Sequence, residues 1–281
     1  MKKVFTLIFM MSLAAFMPST LAFSQNVPFK DGDRLQYSIN YKWGFSVNLA
    51  TLDVSVDEVT EDNRQAYHVK TAINTNSFGD KIYKVRDLYE AVFYANTHLV
   101  PAWYHRDVKE KDYSSQNLYT WSRNAATIQM KIDDSTLPPV DESFANKEHY
   151  IDLMNVVFRI ISVEFDRLLN GETLHFPMIL DRQFNDITIS MVGKEEKKVS
   201  KSVGTFNTVK LAISNTVRKD SDKAVPAFAA LDSKDRTFYV WVADDDSHVP
   251  VYFTTQSSIG SINGRLTNYE GLKYPLSSKI K

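Results

Sequence analysis

Apolar and polar residues alternate with period two through most of this chain. Arg34–Lys42 places Leu35, Tyr37, Ile39 and Tyr41 on one side and polar residues on the other, the pattern of a strand with one buried face. Asn48–Val59 and Ala66–Asn74 continue it across a turn at Glu61-Asp62-Asn63, which predicts an antiparallel meander. Ser77–Tyr94 alternates without a cleanly apolar side. It reads as a strand covered on both faces, with a helix over part of it as the alternative. Leu99–Asp107, Tyr113–Trp121 and Thr127–Ile132 complete a first β half over residues 29–132. Asp133–Asp141, with two prolines and three acids, predicts a separating loop within residues 133–147.

The period changes once. In Glu148–Leu169 apolar residues fall at Ile151, Met154, Val157, Phe158, Ile161, Phe165 and Leu168, in steps of three or four. Asp152, Asn155, Arg159, Ser162 and Asp166 form a polar row, and Asn170-Gly171 supplies a stop. The spacing predicts one amphipathic helix of about twenty residues, about 30 Å long, laid on a sheet. Strands resume over residues 172–270: Thr173–Leu180, Asn185–Val192, Glu195–Ser200, Asn207–Asn215, Arg236–Val242, Val249–Thr255 and Arg265–Tyr269, with a loop at Val217–Ser233. The predicted fold is mainly β: an antiparallel curved sheet or incompletely closed barrel, in two halves around one long central helix.

The first residues break the alternation. Met1-Lys2-Lys3 precedes an apolar run to Met17, then Pro18 and small residues, which predicts an export signal over residues 1–24 cut after Ser24. One β-rich domain would then occupy residues 25–281, exported to the periplasm or beyond. The absence of cysteine excludes a cysteine-linked lipid anchor, disulfides and thiolate metal sites. With 33 basic against 34 acidic residues and no polybasic run, nucleic acid is not an expected partner, nor are anionic membrane surfaces a general one.

Little in the sequence points to catalysis. The six histidines do not pair at zinc-site spacing, and Asp244-Asp245-Asp246 lacks the glycine and distal glutamate of a calcium loop. There is no nucleophile elbow and no phosphate cradle. No cofactor is expected. The residue types suited to binding are Tyr83, Arg86, Trp103, His105, Arg106 and Trp121 in the first half, with Arg159 on the helix. Flat aromatic faces suit sugar rings, and arginine suits carboxylate or phosphate. These residues also suit cross-strand packing and surface ion pairs. On the binding reading, Arg86, Arg106 and Arg159 converge on one anionic group.

Several segments together carry a resemblance: FKDGDRLQYSINYKWG (Phe29–Gly44), DKIYKVRDLYEAVF (Asp80–Phe93), LVPAWYHRD (Leu99–Asp107), GTFNTVKL (Gly204–Leu211), FYVWVADDDSHVPVYF (Phe238–Phe253) and IGSINGRL (Ile259–Leu266). In this order the set resembles DUF3108, an exported bacterial family of unknown function. Glu110-Lys111-Asp112-Tyr113 stands where that family often has a glycine-tyrosine motif. The resemblance implies an envelope location and a β-rich fold, and brings no catalytic residues. The leading expectation is a non-enzymatic envelope protein that holds an amphipathic or anionic ligand, a lipid or glycan, in a curved sheet. The alternatives are a structural or assembly partner of an outer-membrane complex, favoured by an exposed apolar patch, and a glycan-processing enzyme, favoured by two carboxylates facing across a cleft.

Overall fold

A computed structural model describes residues 27–218, 237–257 and 260–281. The expected export signal and most of the Val217–Ser233 loop lie outside the described residues. The rest forms one fourteen-stranded antiparallel sheet, ordered β8-β7-β6-β5-β4-β3-β2-β1-β14-β13-β12-β11-β10-β9. Its first half comprises β1 (Asp33–Trp43), β2 (Phe45–Glu61), β3 (Arg64–Thr75), β4 (Arg86–Tyr94), β5 (Pro101–Glu110), β6 (Tyr113–Trp121), β7 (Thr127–Asp134) and β8 (Val140–Ala145). The second half comprises β9 (Leu174–Leu180), β10 (Gln183–Ser200), β11 (Gly204–Val217), β12 (Phe238–Ala243), β13 (Pro250–Ser257) and β14 (Gly260–Glu270). The halves join where the first strand pairs with the last, β1 with β14.

The sheet is rolled but not hydrogen-bonded shut. Its terminal strand β8 meets the β9–β10 end through side chains, as in the perpendicular contact of Phe144 on β8 with Phe184 on β10 at 5.7 Å. The main core lies inside the roll and draws on both ends of the sheet, from Ile128 and Met130 to Phe176 and Ile189. A second core forms where the β10–β11 hairpin folds back, putting Val199, Val203 and Phe206 with Tyr37, Trp241 and Leu266. A bulge between Met191 and Gly193 permits that bend.

The long helix is corrected. Two short helices stand in its place, α2 (Leu153–Ile160) and α3 (Phe165–Leu169). Ile151 is not helical. It lies alongside β9, accepting from Ile179 N at 3.0 Å while its own N–H donates to Pro177 O at 3.1 Å. Asp152 starts α2 by capping Asn155 N at 2.8 Å. The far end of α2 is opened by Ser162, whose hydroxyl returns to Phe158 O, and by Ser162 N and Glu164 N sharing Arg159 O. The β-branched Val156, Val157, Ile160, Ile161 and Val163 add little helix propensity to resist this. The faces also turn: Asp152 and Asn155, expected on the polar row, are buried, and Val157 is exposed.

Three smaller expectations change. Ser77–Tyr94 contains a helical turn, α1 (Gly79–Ile82), before β4, so the helical alternative holds for part of it. The separating loop shrinks, because Val140–Ala145 forms β8 on the edge. Asn185–Val192 and Glu195–Ser200 are one continuous β10.

Inside the roll, α2 packs against β4 and β9 and plugs one end, with Phe158 against Phe29 and Phe93. The void beside it, lined by residues including Phe29, Val54, Phe158 and Val249, is about 40 Å3. That is room for a water molecule or two and not for a lipid chain.

Candidate functional site

Two polar constellations stand out, one inside the roll and one outside. The inner one centres on Arg106, which is 0% exposed. Register decides its direction. Arg106 is opposite Tyr89 on β4 and Asn117 on β6, and Tyr104 is opposite Ala91 and Tyr119, so this parity faces the core. The guanidinium forms an ion pair with Asp181, at the β9–β10 turn, which also accepts from Asn117 Nδ2 at 2.8 Å. Tyr119 donates to the backbone carbonyl of Asp181. Burial raises the Asp181 pKa, and the Arg106 charge and Asn117 amide pull it back.

The seam continues outward. Asp87 accepts from Lys109 N at 3.1 Å and Tyr89 Oη at 3.2 Å, and it shares a hydrogen bond with Glu110. Burial, with the adjacent Asp87 carboxylate, pushes the Glu110 pKa up to about 7. Tyr83 Oη closes the seam at the surface, 3.1 Å from Glu110. These carboxyl groups touch each other and do not face across a cleft. The seam seals the end of the roll opposite α2, which is the work of a structural polar network.

The expected site residues are therefore dispersed. Arg86 reaches Asp80 at 2.7 Å, Arg106 is held by Asp181, and Arg159 reaches Glu164 at 2.8 Å while lying 5.3 Å from the Phe176 ring. Three arginines thus meet three different acids, and no shared anion is assembled. Trp121 points into the core and donates to Tyr150 O at 2.9 Å. Trp103 and His105 have the opposite parity to Arg106 and lie on the outer face. There the Trp103 ring is 5.6 Å from His68, and His105 Nδ1 is 3.6 Å from Glu90. Tyr83 and Arg106 share the inner seam; the others do not join it.

The outer constellation was not singled out from sequence. It is an open groove of about 280 Å3 across β14, β1, β2 and β3, lined by Arg34, Gln36, Asp53, Ser55, Lys70, Asn268 and Glu270, among others. Cross-strand register assembles it: Asn268 is opposite Gln36, Gln36 opposite Asp53, Arg34 opposite Ser55 and Glu270, and Ser55 opposite Lys70. A bulge on β14 opposite Gln36 and Tyr37 bends the sheet here, and the small Ser55 and Ala72 leave space above the floor. Gln36 Nε2 donates to Asp53 at 2.8 Å, and Asn268 Nδ2 to Glu270 at 3.1 Å. The same face continues through Lys70 and Glu90, 3.9 Å apart, to His105 and Trp103. The alternating polar positions of four strands were the signal. The missing knowledge was that β1 and β14, at the two ends of the chain, are neighbours. Among the described residues, no three metal-ligating side chains stand together.

This architecture defines an open, barrel-like antiparallel β protein. The chain belongs to DUF3108, a family described as a protein of unknown function, whose model matches residues 36–267. Among solved structures it is similar to a β-barrel-like protein of the domain of unknown function DUF1849 from Brucella abortus. The two are 8% identical, with a TM-score of 0.52 and coverage of 87% of this chain and 98% of the other. It is more distantly similar to a "putative lipoprotein" from Parabacteroides distasonis, 10% identical, with a TM-score of 0.37 and coverage of 88% and 99%. The first likeness is one of fold alone. No curated protein matches the chain.

Proposed function

We propose that this is a non-enzymatic binding protein of the bacterial envelope, and that its ligand is a glycan lying in the outer groove. The envelope location rests on the export pattern over residues 1–24. The groove itself carries the reading. At about 280 Å3 it approaches the size of small-ligand sites, and amides, carboxylates and cations line it. Paired amide and carboxylate groups such as Gln36 with Asp53 match the vicinal hydroxyls of a sugar, which present a donor and an acceptor side by side. The filled interior argues against an enclosed lipid. Trp103, further along the same face, supplies a flat surface for an additional ring.

Calorimetric titration with peptidoglycan and lipopolysaccharide-core fragments tests this. Binding that weakens about tenfold or more in Q36A/N268A, with the melting temperature retained, is the expected result. No heat with any fragment, or equal affinity in the variant, would overturn it. Shortening of the added glycan would move the reading to an enzyme.

A further inference from the structure

The end of the roll sealed by the Arg106 seam also carries exposed apolar side chains. Trp43 and Phe45 pair across the tip of the β1–β2 hairpin, 64% and 69% exposed. Gly44 between them has φ 70°, the left-handed turn that lets the two rings project together. The last β2–β3 pair is Ala50 with Thr75, so β2 extends five residues further to Phe45, roughly 17 Å at strand rise. At the base of this extension, Asn76 N donates to Leu49 O at 2.9 Å and anchors the α1 turn, which exposes Phe78, Ile82 and Tyr83.

Charge surrounds this set unevenly. Lys42, Lys81 and Lys84 are exposed, and none has an ion pair among the described residues. The neighbouring acids are mostly engaged: Asp80 by Arg86 at 2.7 Å, Glu110 by Tyr83 at 3.1 Å, and Asp112 within 3.9 Å of Lys111.

We propose that this end of the protein docks on a phospholipid surface bearing anionic headgroups. Trp43 and Phe45 enter the boundary between headgroups and acyl chains, and Lys42, Lys81 and Lys84 meet the phosphates. β14 flanks the hairpin as far as Lys42 opposite Ser261, and the exposed rings are interspersed with lysines, which the cores of stable protein interfaces largely exclude. A fluid boundary closes around any shape, and tryptophan favours that depth because its ring is apolar while its N–H stays hydrated. Basic side chains beside an inserted aromatic add attraction to an anionic leaflet. The overall charge balance of the chain conceals this local excess. The proposal is independent of the groove.

Sedimentation with phosphatidylethanolamine–phosphatidylglycerol vesicles, beside phosphatidylcholine vesicles, tests it. The purified protein should pellet with the anionic vesicles, and brominated lipid should quench its tryptophan emission. W43S/F45S should lose partitioning by about tenfold or more, with circular dichroism and melting temperature unchanged. K42E/K81E/K84E, which leaves the rings in place, should lose the preference for anionic vesicles, as should added salt. Q36A/N268A should bind vesicles as the unaltered protein does, so failure of the glycan reading leaves this one standing. A protein that stays in the supernatant overturns the proposal, as does W43S/F45S binding as well as the parent. If vesicles are ignored but W43S/F45S loses a specific envelope protein partner, the surface is a protein interface and the proposal is overturned.

Discussion

Arg106 is wholly buried, so its charge is compensated by the Asp181 carboxylate and by Tyr89, while Asn117 supports Asp181. Removing one partner of such a pair leaves the other charged and buried. Asp181→Ala should therefore destabilise the protein by about 3–5 kcal/mol in urea unfolding, whereas a surface pair such as Arg34–Asp57 should contribute under about 1 kcal/mol. Burial also raises Asp33 to about 6 and Asp152 to about 7, and burial with Asp87 raises Glu110 to about 7. Each folded-state pKa lies above the ordinary carboxylate value. The stability these groups contribute is thus complete only below the ordinary carboxylate value, about pH 4, and is lost progressively from there until pH has risen through 6 to 7. Asp80, Glu164 and Asp134 shift downward, so their contributions are lost only as pH falls below the ordinary carboxylate range. Melting temperature should peak at about pH 4 and decline until about pH 7. Asp152→Asn keeps the cap on α2 and removes one ionisation, so it should stabilise by about 1–3 kcal/mol at the alkaline end and change little at the acid end. A melting temperature that does not vary with pH in both proteins would contradict this. At this scale the sequence misdirects. Trp103, His105 and Arg106 are adjacent and suited to one ligand, yet alternation sends Arg106 inward and the other two outward. A mixed polar and aromatic strand does not reveal which parity is buried.

Among the elements, strands were legible because a half-buried strand writes its two faces directly into the sequence. β1, β2, β3, β5 and β6 fall close to the predicted segments. The helix was not, because periodicity records which side chains are buried without recording that the backbone bonds elsewhere. Ile151 and Asp152 belong to the apolar and polar rows, but one bonds to β9 and the other caps α2. The sequence separates Asn185–Val192 from Glu195–Ser200, whereas the residues between them form a bulge within one strand. Another glycine gives a direct test. Gly264 on β14 faces Phe253 on β13, and a methyl group there would fall inside the Phe253 ring, 1.9 Å from its Cζ. The ring, which packs 5.8 Å from that of Tyr37, must move if that space is filled. Gly264→Ala should lower stability by about 1–3 kcal/mol and alter the near-ultraviolet circular dichroism. An unchanged melt would mean the ring does not depend on that gap.

For the whole molecule, the two edge strands of the sheet do not pair with each other, and side chains together with the backbone bridge at Ile151 close the roll. Phe144 with Phe184, the Asp181 contacts to Arg106, Asn117 and Tyr119, and Ile151 alongside β9 together hold the two edges. An antiparallel curved sheet was foreseeable from period and turn spacing. Closure was not, because its contacts link β5 and β6 to a turn more than sixty residues away. For the same reason the groove was hidden: Gln36 and Asn268 are neighbours only because β1 meets β14. The central claim is that the interior is filled and the ligand lies outside. Amide chemical-shift mapping of the isotopically labelled protein during titration with envelope glycan fragments tests it most directly. The account predicts shifts that cluster at Gln36, Ser55, Ala72 and Asn268 and leave the core unmoved. Shifts concentrated at Phe158, Ile189 and Val249 would place the ligand inside the roll and contradict it.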